Sequence, residues 1–103
     1  MQNLWISAGI ALNDGADLIK AQTELQHLME KTALEPGCIA FEIRQNLERP
    51  EHFTLWECWT GEDALKAHFE APHTVAYLKL GLTKVNYIER LGPIGNRPTG
   101  TQS

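Results

Sequence analysis

The sequence has only two cysteines and no long apolar run, and both absences narrow the class of protein. Cys38 and Cys58 are not spaced as a C-x-x-C pair, and two cysteines cannot provide a framework of disulfide bonds. We therefore expect buried free thiols in a reducing compartment. No stretch approaches the roughly 20 apolar residues that a membrane-spanning helix needs, and the N-terminus has no charged segment before an apolar one. These absences predict a cytoplasmic protein without a membrane partner.

Basic residues are also scarce: 9 Lys and Arg stand against 13 Asp and Glu, for a net charge of −4, and they never form a run. Such a chain lacks the positive patch that binds nucleic acid or an anionic membrane. What the 103 residues do contain is 43% apolar side chains, enough for one packed domain. A domain of this size buries only about two-thirds of the surface of its unfolded chain, so a second copy would add to its stability.

The first third of the chain predicts a strand followed by an amphipathic helix. Leu4–Leu12 is apolar at nearly every position and precedes an Asn-Asp-Gly turn signal, which favours a buried strand. Over residues 16–33, apolar side chains recur at steps of three and four, and Asp14 is placed to cap the start. Pro36 ends this helix, because proline cannot continue a helix and disfavours helical backbone in the residue before it.

Alternation of apolar and polar residues next predicts a hairpin of two strands. The alternation runs through Phe41, stops at residues 47–51 and returns after them. A symmetric antiparallel pairing around that loop places Phe41 opposite Glu57 and Glu42 opposite Trp56.

Two short helices and a last strand complete the predicted elements. Thr60 and Asp63 have the spacing of a capping box, in which two side chains satisfy free backbone amides of the first helical turn. The helix that starts there is interrupted at Pro72, which suits a first helical turn, and resumes over residues 73–82, before a strand over residues 85–91. Residues 1–92 therefore form one domain, and residues 93–103, rich in Gly, Pro and Thr, form an irregular tail.

The order β-α-β-β-α-β predicts an α+β, ferredoxin-like domain, in which helices cover one face of a four-stranded antiparallel sheet. The uncovered face is too apolar for contact with water, because it carries Trp5, Ala40, Trp56 and Cys58. We therefore expect a homodimer whose two sheets pack face to face.

Glu57 and His68 are the strongest candidates for chemistry. Period-two counting places Glu57 on an otherwise apolar strand face, where a carboxylate needs a partner or a raised pKa. His68 shares the apolar face of the next helix with Leu65 and Phe69, so the two side chains are predicted to meet. One interpretation is a structural hydrogen bond between helix and sheet. The other makes His68 a general base whose tautomer and orientation Glu57 sets.

His73 and Tyr77 are the next candidates, each with a structural and a substrate-binding interpretation. His73 follows Pro72 at a helix start, and Tyr77 lies on the same helical face and carries a hydroxyl that can bind a substrate oxygen. We predict no metal site. His68 and His73 are five residues apart across a proline, and no carboxylate or thiol is obviously placed to complete a ligand set.

Four segments together resemble one known family. They are E-P-G-C-I-A-F-E-I-R-Q-N from Glu35, F-T-L-W-E-C-W from Phe53, E-D-A-L-K-A-H-F from Glu62, and Pro72 with His73. In order and spacing this resembles the antibiotic biosynthesis monooxygenase domain family. The resemblance implies a dimeric α/β barrel with a pocket between sheet and helices, and oxidation of a quinol or a small hydroxylated aromatic by molecular oxygen without a cofactor.

Under this resemblance, each candidate residue has an expected role. His68 is the base and Glu57 orients it, while the substrate-binding residues are His73, Tyr77, Trp59, Phe41 and Phe69.

Similar folds also host other activities, which leave alternatives open. Haem degradation is disfavoured, because the tryptophan and the haem-ligating histidine of that branch fall at His68 and Leu78 of this sequence. An isomerase of a small hydroxyketone or sugar-derived signal would use the same acid and base groups to move a proton next to a carbonyl. A dimer that binds a small molecule without turnover is the third alternative.

Overall fold

The computed structural model describes residues 2–95, so the predicted tail lies outside the described residues from residue 96 onward. Its elements, in chain order, are β1 (Leu4–Leu12), α1 (Leu18–Thr32), β2 (Cys38–Gln45), β3 (His52–Trp59), α2 (Glu62–Glu70), α3 (Pro72–Lys79) and β4 (Thr83–Leu91). The strands form one antiparallel sheet in the order β2-β3-β1-β4. This arrangement confirms the predicted α+β, ferredoxin-like fold.

The predicted hairpin register is confirmed: Phe41 pairs with Glu57, and Glu42 pairs with Trp56. The loop between β2 and β3 contains a tight turn, in which the His52 amide donates to the Arg49 carbonyl oxygen at 2.9 Å. This turn fixes the symmetric pairing of the two strands. Glu57 therefore projects from the helix-covered face of the sheet.

Both predicted helix caps are wrong. Helix α1 starts two residues later than predicted, and its N-cap is Asp17, whose carboxylate accepts from the amide of Ile19 at 2.9 Å. No capping box forms at α2, because its N-cap is Gly61 and makes no side-chain cap bond. Thr60 lies one residue before the N-cap position. Its backbone amide donates to the Gly37 carbonyl oxygen at 3.0 Å, which continues the pairing of β2 with β3 by one hydrogen bond.

Helix α3 begins at Pro72, one residue before the predicted start at residue 73, and ends at Lys79 rather than at residue 82. Gly81 has a φ of 64°, a left-handed conformation that glycine adopts without a Cβ penalty. The chain then turns so that Leu82 is buried in the core and β4 starts at Thr83.

The three helices cover one face of the sheet and enclose the core. Trp59 is fully buried in this core, which also contains the apolar side chains of Ile6, Ile10, Leu25, Phe41, Phe53 and Leu65. Burial of each large apolar side chain stabilises the fold by about 1.5–3 kcal/mol before entropy is counted.

The opposite face of the sheet carries exposed aromatic residues. Trp5 and Trp56 lie with ring centroids 5.3 Å apart, and Trp56 is 41% exposed. Cys58 is fully buried, as predicted, although it lies on this face, on β3 between its register partners Trp5 and Ala40. Cys38 and Cys58 are both free thiols, as predicted. No helix in residues 2–95 is long and apolar enough to span a membrane.

Candidate active site

A cavity of about 270 Å³ lies between the sheet and the helices. Its wall is mostly apolar and includes Ile6, Ala8, Ile10, Leu25, Leu28, Phe41, Leu55 and Leu65. A few polar side chains also reach it, namely Glu57, His68, Thr74, Tyr77, Thr83 and Arg90. An apolar cavity with a small number of polar groups is typical of a small-molecule site.

One side of this cavity is open, because β4 is largely exposed in the part of the chain that the structure describes. Val85 and Ile88 of β4 and Phe69 and Leu78 of the helices line the cavity, yet each is more than half exposed. Arg90 stands at the same edge, where its guanidinium donates to Glu62 of α2. A ligand would therefore enter between β4 and the pair α2–α3.

His68 lies in the wall of the cavity and is only 4% exposed. Its Nδ1 is 2.8 Å from Glu35 Oε2 and 3.3 Å from the hydroxyl oxygen of Thr74. The imidazole packs against aromatic rings, with centroid distances of 4.8 Å to Trp59 and 5.3 Å to Phe41. Since a carboxylate oxygen only accepts, Nδ1 carries a proton toward Glu35, and in the neutral form of the ring Nε2 keeps its lone pair.

The predicted hydrogen bond between Glu57 and His68 is wrong. Glu57 Oε1 instead accepts from the indole Nε1 of Trp59 at 2.9 Å, because these side chains leave β3 on the same face two residues apart. The position that Glu57 was expected to fill is taken by Glu35, which orients His68.

Glu57 nevertheless lines the same cavity and is 6% exposed. Burial raises the pKa of its carboxyl above the ordinary value, and this outweighs the lowering by the Trp59 hydrogen bond and by the charge of His68. Glu57 is therefore a group that holds a proton more readily than a carboxyl in water.

Sequence reasoning missed Glu35, which is held in the turn between α1 and β2. A signal for it was present. Cys38 at the start of β2 pairs with Trp59 at the end of β3, so the residues just before β2 lie beside the start of α2. Any carboxylate in the Glu35-Pro36-Gly37 turn is thereby brought close to the helix that carries His68.

His73 bonds the same carboxylate oxygen, with its Nε2 2.6 Å from Glu35 Oε2. It does not line the main cavity but a separate groove of about 280 Å³ between α1 and α3. The predicted place of His73 at the mouth of the main cavity is therefore wrong. The reason given for expecting no metal also fails, because Glu35 completes a set of donor atoms with His68 and His73 that lie within 4.8 Å of one another.

The remaining predicted substrate-binding residues divide into two groups. Phe41, Phe69 and Tyr77 line the cavity, whereas Trp59 lies behind its wall, against Glu57 and His68. The Tyr77 hydroxyl is 2.6 Å from the hydroxyl oxygen of Thr83, and burial raises the pKa of Tyr77. Tyr77 therefore presents a neutral hydroxyl to the cavity.

Comparison with known proteins identifies the family. Residues 18–80, more than half of the chain, match the family model described as antibiotic biosynthesis monooxygenase. The chain belongs to this family. The matched segment contains Glu35, Glu57, His68 and His73, so it includes both the cavity acids and bases and the second histidine.

The relatives support the same fold. The uncharacterized protein YjcS of Bacillus subtilis is 33% identical over 84 residues, which cover 82% of this chain and 80% of YjcS. A solved structure of protein YjcS is similar with a TM-score of 0.82 at 31% identity, and covers 88% of this chain and 98% of its own. SnoaB from Streptomyces nogalater, a cofactor-independent oxygenase, has a TM-score of 0.76 at 10% identity, with 96% and 100% of the two chains covered.

Proposed function

We propose that this protein is a cofactor-independent monooxygenase that oxidises a small hydroxylated aromatic compound or quinol with molecular oxygen. The observation that carries the proposal is the buried His68, whose Nδ1 is held by Glu35 while the ring lines an apolar cavity. Membership of the antibiotic biosynthesis monooxygenase family and the fold shared with SnoaB, a cofactor-independent oxygenase, support it.

The proposed base is Nε2 of His68. Among residues 2–95 this atom has no hydrogen-bond partner, so a substrate hydroxyl in the cavity can donate to it. Glu35 fixes the tautomer and would stabilise the imidazolium that forms when the proton is taken. Because the cavity is largely apolar, it favours transfer of the proton to the nearby base over exchange with water.

The reaction requires electrons only from its substrate. Removal of the hydroxyl proton gives an electron-rich anion, and a ring carbon of this anion bonds molecular oxygen to form a peroxide. The O–O bond then breaks: one oxygen stays on the ring as a carbonyl, and the other leaves as water with the hydroxyl proton and the ring proton. Glu57, whose pKa burial raises, lines the same cavity and would pass its proton to the departing oxygen, taking one of the two substrate protons in return.

The cavity also limits the size of the substrate. At about 270 Å³ it lies just below the usual range of roughly 300–1,000 Å³ for ligand pockets, which favours a compound of one or two fused rings. Phe41 and Phe69 offer ring faces and edges, and the Tyr77 hydroxyl offers a hydrogen bond to an oxygen of the substrate.

Oxygen uptake with naphthohydroquinone tests the proposal. Wild-type protein should accelerate uptake above autoxidation, and His68→Ala should lower the accelerated rate by about 10²–10⁴-fold, the usual contribution of a general base. His27→Ala, which removes an exposed histidine of α1, is the matched control and should keep the wild-type rate. A phenol and quinol panel without uptake above background, or full activity in His68→Ala, would contradict the assignment.

A hydroxyketone isomerase is the second candidate, favoured by the two proton-carrying groups His68 and Glu57 in one cavity. Such an enzyme would incorporate deuterium from heavy water next to the carbonyl of a probe such as dihydroxyacetone. Deuterium exchange that depends on His68, in the absence of oxygen uptake, would replace the oxygenase assignment.

We also propose that two chains pair through the open face of the sheet. Trp5 and Trp56 form an aromatic patch there, and Tyr87 on β4 is 42% exposed. Contact between two such faces removes this apolar surface from water. Sedimentation at micromolar concentration should give the mass of a dimer, and a monomer under these conditions would refute the pairing.

A further inference from the structure

We propose that Glu35, His68 and His73 form a binding site for a divalent transition-metal ion such as Zn²⁺. Two imidazole nitrogens and one carboxylate oxygen, all within 4.8 Å of one another, constitute the site. This donor set is one that Zn²⁺ accepts in proteins, whereas Mg²⁺ and Ca²⁺ prefer oxygen ligands alone.

Binding of an ion requires a modest movement of all three side chains. Nδ1 of His68 and Nε2 of His73 lie 2.8 and 2.6 Å from the same oxygen, Glu35 Oε2. With metal–ligand bonds of about 2.0–2.2 Å, the donors of a tetrahedral ion are roughly 3.3 Å apart. The carboxylate must therefore withdraw by about half an ångström from each ring, and the two nitrogens, which lie within 4.8 Å of each other, must reach the same separation. Each ring would bind the ion through the nitrogen that now faces Glu35 and would carry its N–H proton on the other ring nitrogen, so one ion would satisfy all three donors.

The three side chains are held by separate parts of the fold and are largely buried. Their side-chain exposures are 12% for Glu35, 5% for His68 and 18% for His73. Glu35 is fixed in the turn before β2, His68 projects from α2, and His73 is the second residue of α3, directly after Pro72. Because these ligand side chains are already ordered, binding of an ion costs little conformational entropy.

The remaining coordination position faces an accessible region. His73 lines the groove between α1 and α3, so an ion can reach the three donors from that side and a water from the groove can supply the fourth ligand. The main cavity stays on the other side of His68, where the unbound Nε2 would remain.

Metal binding would have a consequence that rests on the proposed function. An ion on Nδ1 replaces the Nδ1–H bond to Glu35 and leaves the ring proton on Nε2, which then has no lone pair to accept a substrate proton. Zn²⁺ would thus inhibit the proposed oxygenation. The binding itself is independent of any reaction and is measured without substrate.

Calorimetric titration of the chelator-stripped, full-length protein with ZnCl₂ tests the site. We expect one ion per chain with a Kd in the micromolar range or tighter, and no heat with MgCl₂. Glu35→Gln and His73→Ala should each weaken binding at least tenfold, since each removes one of three ligands. His52→Ala, a histidine at the start of β3 outside the cluster, should bind within twofold of wild type.

Visible absorption of Co²⁺ in place of Zn²⁺ gives a second readout, because tetrahedral Co²⁺ absorbs far more strongly than the hydrated ion. Circular dichroism verifies that each variant is folded, and the isosteric Glu35→Gln remains decisive if His73→Ala does not fold. The proposal is overturned if wild type does not bind Zn²⁺, or if Glu35→Gln binds as tightly as His52→Ala. Either result leaves the oxygen-uptake test of His68 unaffected.

Discussion

The substitution Trp59→Phe probes the buried hydrogen bond between Trp59 and Glu57. The indole of Trp59 is fully buried and donates to Glu57 Oε1 at 2.9 Å, and Glu57 itself is 6% exposed. Phenylalanine keeps most of the apolar packing but has no donor. The substitution therefore leaves a buried carboxyl oxygen without its partner and opens a small void beside it.

The expected cost is the sum of two effects. A buried acceptor without a partner costs about 1–3 kcal/mol, and the void left by the missing ring atoms costs roughly 1 kcal/mol. The free energy of unfolding should thus fall by about 2–4 kcal/mol, a large fraction of the roughly 5–15 kcal/mol that stabilises a domain. The matched control is Phe69→Leu on α2, which replaces a ring that is 51% exposed and should change stability by about 0.5 kcal/mol or less.

Urea denaturation at one fixed protein concentration measures both variants, and a double-mutant cycle separates the two effects. In a Glu57→Met background the acceptor is gone, so Trp59→Phe should cost only the void, about 1 kcal/mol. Equal costs of Trp59→Phe in the two backgrounds would refute the claim that the hydrogen bond to Glu57 contributes to stability.

Three further predictions follow from other parts of the fold. Burial raises the pKa of Glu57 in the folded state, so wild-type stability should fall as pH rises from the unfolded-state pKa through the folded-state pKa. Urea titrations at several pH values should show that Glu57→Gln abolishes this pH dependence. A pH dependence unchanged in Glu57→Gln would contradict the prediction. Gly37→Ala should lower the free energy of unfolding by about 1–3 kcal/mol, because its Cβ would lie 2.3 Å from that of Ala64 in α2; a thermal melt unchanged from wild type would show that α2 shifts freely. Trp56→Asp should shift sedimentation toward the monomer, since it would bury an unpaired charge between the sheets, and an undisturbed dimer would place the interface elsewhere.

The architecture of this protein was predictable because the spacing of apolar residues along the sequence indicates its strands and helices. Alternation in β2 and β3 set which residues face the core, and a loop of defined length set the register that pairs Phe41 with Glu57. The helix N-caps were harder to predict, because several residues near a helix start have side chains that can accept hydrogen bonds from the same backbone amides. Asp14 and Asp17 are both suitable by type, and the actual start of α1 at Leu18 selects Asp17.

The sequence by itself therefore determined the fold, the helix-covered face that holds Glu57 and His68, and the absence of a cysteine framework. The partners of these side chains were decided only by the tertiary structure. Glu35 is 33 residues from His68 along the chain, and the two meet because β2 and β3 bring the turn after α1 beside α2. Hydrogen bonds depend on distances of a few tenths of an ångström between distant segments, whereas strand and helix periodicity depends on neighbours alone.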